Sequence, residues 1–232
     1  MTPLALQTSL FANPVWHALR TRHRHLAIGH GDACRYPGDV APFAAVAAPT
    51  AAALRQLHAL LAIDESVWLV GAAHPPVPEL VTLDTLQCLQ MVLPRTAALP
   101  TDAAAVTPLS AADAGEMLTL TQVAFPGFFR ARTPEMGAYF GVRSRGELVA
   151  MGGERLMLDG HPEVSGICTH PDHRGLGFAA AIIGHLAHRH RAADLVSWLQ
   201  VSAANARAID LYRRMGFEPL QRVELRRVGR AD

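Results

Sequence analysis

The sequence contains no lysine, little cysteine, few aromatic residues and no excess of charge of either sign. All 21 basic residues of the 232-residue chain are arginine, and the formal net charge is +1. This balance gives no electrostatic reason for the chain to bind nucleic acid or a membrane surface. Cys34, Cys88 and Cys168 lie far apart and form no CxxC pair. That spacing disfavours a disulfide framework and indicates a reducing compartment.

Features of membrane insertion and secretion are also missing. The uncharged stretch 40–54 contains Pro42 and Pro49 and is too short to span a bilayer. The first residues lack a positively charged start followed by a continuous apolar segment, so no secretory signal is predicted. Half of the residues are hydrophobic, which is enough for a sizeable core. We therefore expect a globular cytoplasmic protein that binds neither membranes nor nucleic acid.

The chain divides into two regions with different patterns. Residues 1–98 mix helical and strand-like segments, whereas residues 99–232 show a regular alternation of strands and helices. Prolines and small residues between 94 and 104 indicate a linker near this boundary. The predicted elements of the first region are a helix over 15–22 begun by Asn13 and Pro14, a helix over 51–62 capped by Thr50, and strands at 66–72 and 86–93.

The second region predicts the element order β-α-β-β-β-α-β-α-β. Ser110 and the acidic residues after it begin the first helix. The pairs Arg145-Gly146 and Asp159-Gly160 are typical of the tight turns that join antiparallel strands. This order predicts a mixed α/β (α+β) fold in which helices flank a central sheet.

A glycine-containing loop, RGLGFA at 174–179, joins a predicted strand at 163–169 to a long helix over about 176–191. Glycines let backbone N–H groups approach a phosphate closely, and the start of a helix adds a positive dipole. The loop lacks the third glycine of a dinucleotide-binding fingerprint and follows the third of three consecutive strands rather than a first strand. It also lacks the Lys-Ser/Thr of a phosphate-binding Walker loop. The residues therefore predict a pyrophosphate site of another kind.

A second block follows one strand later: NARAIDLY at 205–212 and then MGF at 215–217. Together the two blocks resemble the GNAT family of acyl-CoA-dependent N-acetyltransferases, in which Arg-x-x-Gly-x-Gly/Ala binds the coenzyme A pyrophosphate. The segment GICTHPDHRGLG resembles the corresponding segment of a bacterial subgroup whose C-terminal half is called FR-forty-seven-like. The resemblance covers residues 104–228 and implies the GNAT fold there. In that subgroup the N-terminal part is often a diverged half of a tandem GNAT arrangement.

The resemblance implies direct transfer of acetyl from acetyl-CoA, the co-substrate, to a primary amine. Such a reaction needs a deprotonated amine, a polarised carbonyl and a proton donor for the leaving sulfur. Tyr212 matches the family's tyrosine and is the expected donor. Glu163 opens the central strand and is the expected base, acting through water. Glu154 on the preceding strand is the reserve candidate.

The family also implies which residues contact the coenzyme. Its third and fourth core strands splay apart to admit the pantetheine arm, and Gly166 is the expected position of the accompanying bulge. Cys168 has no evident base partner and is expected to be a small buried apolar residue rather than a nucleophile. The predicted coenzyme-binding residues are Ile167, Cys168 and Thr169 on the strand, Arg174, Gly175, Leu176, Gly177, Phe178 and Ala179 on the loop, and Asn205.

The acceptor side is less well defined by the sequence. In FPGFF (125–129), Phe125 and Phe128 either form an acceptor wall, together with Glu154, or plug the loop into the core. No excess charge identifies the acceptor, so a small-molecule or peptide amine is expected, bound by a monomer or a homodimer. The histidines near residue 23 and Cys34 fit no zinc template, so no metal site is predicted.

Two functional hypotheses remain. The chain is either an active N-acetyltransferase or a catalytically inactive GNAT-fold module that binds acyl-CoA or a partner. The intact loop at 174–179 and the presence of Tyr212 favour the enzyme. A nucleotide-binding oxidoreductase is excluded by the form of the glycine motif and by the strand order.

Overall fold

A computed structural model describes residues 10–71, 74–99, 106–124 and 126–231. Within these ranges no helix is both long and apolar enough to cross a membrane. The helices are α1 (Pro14–Arg20), α2 (Ala51–Leu60), α3 (Ala114–Ala124), α4 (Phe178–Ala192) and α5 (Ala206–Arg214). The strands are β1 (Ala33–Arg35), β2 (Phe43–Val46), β3 (Ser66–Gly71), β4 (Leu80–Val92), β5 (Thr107–Leu109), β6 (Tyr139–Ser144), β7 (Glu147–Leu158), β8 (His161–Thr169), β9 (Trp198–Ser202) and β10 (Glu218–Arg230).

Short polar side chains begin the helices where the sequence predicts. The Asn13 side chain accepts a hydrogen bond from the backbone of Trp16, and the Thr50 hydroxyl accepts one from the backbone N–H of Ala53. Ser110 and Asp113 form a reciprocal capping box before α3. Each contact satisfies backbone groups that a helix leaves unpaired at its start.

The strands form one mixed sheet in the order β1-β2-β3-β10-β4-β9-β8-β7-β6-β5. The last strand, β10, lies between β3 and β4 and pairs antiparallel with both. The predicted strand at 86–93 therefore begins earlier, at Leu80, because β10 gives it a partner along its whole length. The mixed α/β fold class is confirmed, and a single sheet runs through both regions of the chain.

The sheet parts between β8 and β9, as the family resemblance implies. These parallel strands pair only at Glu163 and Trp198, so the rest of β8 has no partner on that side. The pairing of β7 with β8 also shifts between Met151 and Gly153, opposite Gly166, which has a φ of +64°. This bulge confirms the predicted position and interrupts the regular pairing of β7 with β8.

Helices cover both faces of the sheet. The adjacent residues Glu154 and Arg155 on β7 point to opposite faces, as side chains alternate along a strand. Glu154 contacts His190 on α4, while Arg155 lies beneath the ring of Phe43 in β2. On the face of the sheet that α4 covers, α5 packs as well. The helices α1 and α3 pack on the opposite face of the sheet.

A buried ion pair holds the point at which β8 and β9 part. The Arg155 guanidinium donates to both carboxylate oxygens of Glu163, at 3.0 and 2.8 Å, and the backbone N–H of Leu156 donates a third bond at 3.1 Å. Glu163 is 0% exposed and Arg155 is 7% exposed. The Arg155 guanidinium lies 4.9 Å from the centre of the Phe43 ring. One contact thus joins β7, β8 and the first region of the chain.

Breaking this pair from one side is expected to destabilise the protein strongly. Arg155→Met leaves the Glu163 carboxylate buried without a counter-charge, which costs about 3–5 kcal/mol of unfolding free energy. The double change Arg155→Met with Glu163→Leu removes both charges and is expected to return most of that loss. Urea unfolding followed by circular dichroism measures both values.

The matched control is the exposed pair of Arg22 and Asp159, whose side chains are 61% and 63% exposed. Arg22→Gln is expected to change the unfolding free energy by less than about 1 kcal/mol. An Arg155→Met variant as stable as Arg22→Gln would contradict the structural role of the buried pair.

Candidate functional site

A cleft of about 510 Å³ opens where β8 and β9 part. The strand β8, the loop that begins α4, and α5 form its walls. Every predicted coenzyme-binding residue except Leu176 lines this cleft, and Leu176 is 61% exposed to solvent. Tyr212 lines it as well. The other lining residues are Ala124, His173, Ala180, Arg207, Ala208, Leu211 and Arg214.

The loop before α4 has the geometry of an anion site. Gly175 and Gly177 adopt left-handed backbone conformations, with φ of +84° and +81°. Gly177 caps α4 without a side-chain hydrogen bond, so the N–H groups of the first turn stay available to a ligand. A Cβ atom added at Gly177 would meet nothing within 4 Å. The open space at this turn is where a phosphate can approach the backbone.

The charged side chains known to line the cleft are all positive. Arg174, Arg207 and Arg214 line it, and no carboxylate does so among the residues described. The neighbouring Arg213, in contrast, pairs with Asp210 on the outer side of α5. Unpaired guanidinium groups beside the start of a helix favour a ligand that carries several phosphate charges.

Cys168 lines the cleft but is not prepared for nucleophilic attack. Burial raises the pKa of its thiol to about 12, and the backbone of Met151 lowers it only in part. Its side chain packs in an apolar cluster with Met117 and Tyr139. The thiol therefore stays protonated near neutral pH.

Tyr212 lines the cleft from α5 and is buried. Its ring meets Phe217 edge-on, with the ring centres 5.8 Å apart. Burial, and then the negative charge of Glu163, raises the pKa of the Tyr212 hydroxyl to about 12. The hydroxyl is therefore protonated at neutral pH and can donate a hydrogen bond into the cleft.

The two polar groups of the Asn205 side chain have different roles. Its side-chain oxygen accepts a hydrogen bond from the backbone N–H of Ala208 at 3.1 Å and so caps α5. Its side-chain amide group remains available at the wall of the cleft. The geometry gives Asn205 a structural role and leaves its predicted coenzyme contact a prediction.

The two candidate bases are held by other groups. Glu163 does not line the cleft, and three donors already bind its carboxylate. Glu154 accepts a hydrogen bond from the backbone N–H of Ala138 at 3.0 Å and lies 3.0 Å from His190 Nε2. Burial raises the pKa of Glu154, but the hydrogen bonds to His190 and Ala138 lower it by more. The net shift of the pKa is downward. Both carboxylates are engaged by hydrogen bonds, and the predicted roles of Glu163 and Glu154 in catalysis stay predictions.

The loop after α3 carries the predicted acceptor wall. Phe125 lies outside the described residues, and Phe128 stacks on Phe43 with a ring-centre distance of 5.8 Å. Phe128 also contacts Trp68 at 5.6 Å, so it anchors the loop to the first region. The structure thus gives Phe128 the core-plugging role that the sequence left as an alternative.

A second cavity, of about 330 Å³, lies between α3 and this loop. Phe129 and Arg130 line it, and sequence reasoning singled out neither residue. The available signal was the pair of adjacent phenylalanines at 128 and 129, of which only Phe128 was considered. The remaining lining residues are Leu118, Thr121, Gln122, Pro126, Gly127 and Ala131.

The described part of the chain contains no group of three or more His, Cys, Asp or Glu side chains placed to hold a metal ion.

His23, which the sequence left without a role, lies 2.9 Å from the carbonyl of Met136 through Nε2 and 2.7 Å from the Tyr36 hydroxyl through Nδ1. Burial lowers the pKa of His23 to about 4. A neutral His23 that donates to Met136 and accepts from Tyr36 ties the two regions together.

Comparisons with known proteins agree with this geometry. The profile of the Acetyltransferase (GNAT) family matches residues 110–217. A solved structure from Novosphingobium aromaticivorans, described as a GNAT-family acetyltransferase, is 32% identical with a TM-score of 0.87; the match covers 95% of this chain and 98% of that one. A GCN5-related N-acetyltransferase from Kribbella flavida is 21% identical with a TM-score of 0.62, and the match covers 97% and 95% of the two chains. The search of curated proteins gives no match.

The likeness to the Novosphingobium protein extends over nearly the whole chain, so its N-terminal region is shared as well. The likeness to the Kribbella protein shows the same fold. The glycine loop, the parted strands and Tyr212 fall within the matched family region. The chain belongs to the GNAT acetyltransferase family.

Proposed function

We propose that this protein transfers an acetyl group from acetyl-CoA to a primary amine by direct attack. One observation carries the proposal: the loop before α4, the bulged strand β8 and Tyr212 line a single cleft, together with three arginines that pair with no carboxylate among the described residues. This combination brings an anion site and a candidate proton donor into one cleft. Family membership supports acyl transfer in general.

The residues of the cleft fit coenzyme A. The N–H groups of the first turn of α4, together with Arg174, would hold the pyrophosphate. The backbone of Ile167, Cys168 and Thr169, left without a β9 partner, would pair with the amides of the pantetheine arm. Bound acetyl-CoA supplies a thioester carbonyl, which an amine attacks.

Tyr212 is the proposed donor to the leaving sulfur. During transfer a C–N bond forms and the C–S bond breaks, and one proton passes from the amine side to the sulfur. Burial raises the pKa of the Tyr212 hydroxyl to about 12, so it is protonated at neutral pH. It is proposed to donate its proton to the developing thiolate.

We assign no side-chain base. The carboxylates of Glu163 and Glu154 are engaged by Arg155 and His190, so the amine proton is proposed to leave through water. Residues 99–232 are proposed to contain the coenzyme site. Residues 1–98 are proposed to complete the acceptor side, because Phe43 and Trp68 hold the acceptor loop through Phe128.

The first experiment measures binding of acetyl-CoA, coenzyme A and NADH by thermal shift and calorimetry. Ligands that bind only the folded state raise the melting temperature. We expect a shift with both coenzyme A compounds and none with NADH, followed by thiol release when amines are added. Binding without turnover for any amine would support the inactive binding module instead. No binding would contradict the assignment of the cleft.

Gly177→Val is expected to weaken coenzyme A binding by about tenfold or more, because a side chain at a φ of +81° strains the turn and occupies the space for a phosphate. Gly160→Val is the matched control, with a φ of +72° and no neighbour within 4 Å of the added Cβ, but outside the cleft. Calorimetry should show normal affinity in the control. Equal affinities in both variants would refute the loop assignment.

Tyr212→Phe is expected to lower kcat by about 100-fold, which is typical of a lost general acid, and to leave coenzyme A affinity within about twofold of wild type. The ring and its packing against Phe217 are retained, so the fold should be unaffected. Steady-state thiol release and calorimetry separate the two effects. An unchanged kcat would show that Tyr212 is not the donor.

A further inference from the structure

The cavity between α3 and residues 126–131 has one charged group. Arg130 lines it together with apolar residues, the hydroxyl of Thr121 and the amide of Gln122. Its volume of about 330 Å³ is at the lower end of the range for cavities that hold small molecules. A small ligand with one anionic group and an apolar body fits these walls.

Arg130 differs from the other arginines around the acceptor side. Arg132 and Arg143 each bond two carboxylates in a forked arrangement. The Arg130 guanidinium bonds only the backbone carbonyls of Gly127 and Phe129, at 2.9 and 3.1 Å. The carboxylate partners of the other two are Asp39 and Glu135 for Arg132, and Asp113 and Glu116 for Arg143.

The charge of Arg130 is therefore uncompensated within the described residues. Burial lowers the pKa of the Arg130 guanidinium, whereas hydrogen bonds to carboxylates raise the pKa of Arg132 and Arg143. A partly buried cation without a counter-ion is costly unless a ligand supplies the opposite charge. A carboxylate matches the planar fork of a guanidinium group.

The cavity adjoins the coenzyme cleft. Helix α3 contributes Ala124 to the cleft and Thr121 to the cavity. Phe129, a wall of the cavity, packs in one apolar cluster with Cys168, a wall of the cleft. The two spaces thus share α3 and this cluster as a common boundary. An acceptor held by Arg130 would have to extend past this boundary for its amine to reach the acetyl end of the coenzyme.

The first region of the chain fixes Arg130 in place. The backbone N–H of Arg130 donates to the Thr133 hydroxyl at 2.8 Å, and that hydroxyl donates to the carbonyl of Val40 at 2.6 Å. Phe128, two residues before Arg130, stacks on Phe43. A cation held in advance in this way loses little freedom when a ligand binds.

Resting on the proposed function, we propose that Arg130 binds the carboxylate of the acceptor, so that the acceptor is a small amine of amino-acid size that bears a carboxylate. The apolar walls formed by Leu118 and Phe129 would contact its hydrocarbon part. The substrate class is then free amino acids, rather than polyamines or amino sugars.

The test compares acceptors with and without the anionic group. Thiol release from acetyl-CoA is measured with the standard L-amino acids and β-alanine, with their carboxamides, and with the corresponding decarboxylated amines. We expect turnover to favour the acids, with kcat/KM at least about tenfold above that of the matched amide. Turnover of amides or simple amines at rates equal to the acids would overturn the carboxylate site and leave acetyl transfer intact.

Variants separate ligand binding from loop support. Arg130→Gln should raise KM for the acid by about tenfold or more, leave kcat and the amide reaction within about twofold, and leave coenzyme A affinity unchanged. Arg130→Lys should recover part of the lost affinity, and the exposed Arg22→Gln should behave as wild type. If Arg130→Gln slows acids and amides alike, Arg130 only supports the loop and the proposal fails. Absence of turnover with every amine, despite coenzyme binding, would contradict the proposed function itself.

Discussion

The buried ion pair of Arg155 and Glu163 is the contact on which the cleft depends. It lies where β8 makes its single pairing with β9, so it fixes the position from which the two strands diverge. A charge pair in the core is justified energetically only when every hydrogen-bonding group is satisfied, and Glu163 has three donors. The same arrangement that makes Glu163 a strong structural element keeps its carboxylate bonded to Arg155 and Leu156.

The first region of the chain belongs to the same sheet as the cleft. The last strand, β10, is inserted between β3 and β4, so the sheet that contains the cleft is completed by strands from the beginning of the chain. Phe43 covers Arg155 on one side and stacks on Phe128 on the other. Through Phe43, the packing of the first region is linked both to the point where the strands part and to the loop beside the acceptor cavity.

Local features of the sequence predicted the fold well, and long-range contacts explain what it could not predict. Asn13, Thr50 and Ser110 act on backbone groups within a few residues, so their capping roles can be read directly from the sequence. The insertion of β10 between β3 and β4 joins residues more than a hundred positions apart, and no local pattern encodes it. Glu163 looked like a free carboxylate because its partner lies across a bulged hairpin. Arg130 gave no signal because the Pro-Gly turn before it interrupts any periodicity that could show which way it faces.

The engagement of Glu163 and Glu154 in hydrogen bonds has a physical counterpart in Arg130. An amine must lose its proton before it attacks a thioester, and the proton comes off more easily where positive charge surrounds it. In water, the carboxylate of an amino acid stabilises its own ammonium group. If Arg130 bound that carboxylate, it would neutralise the charge and remove this stabilisation, which would lower the pKa of the amine. Transfer of the proton to water would then require no side-chain carboxylate, and Glu163 and Glu154 would remain in the structural roles that their hydrogen bonds define.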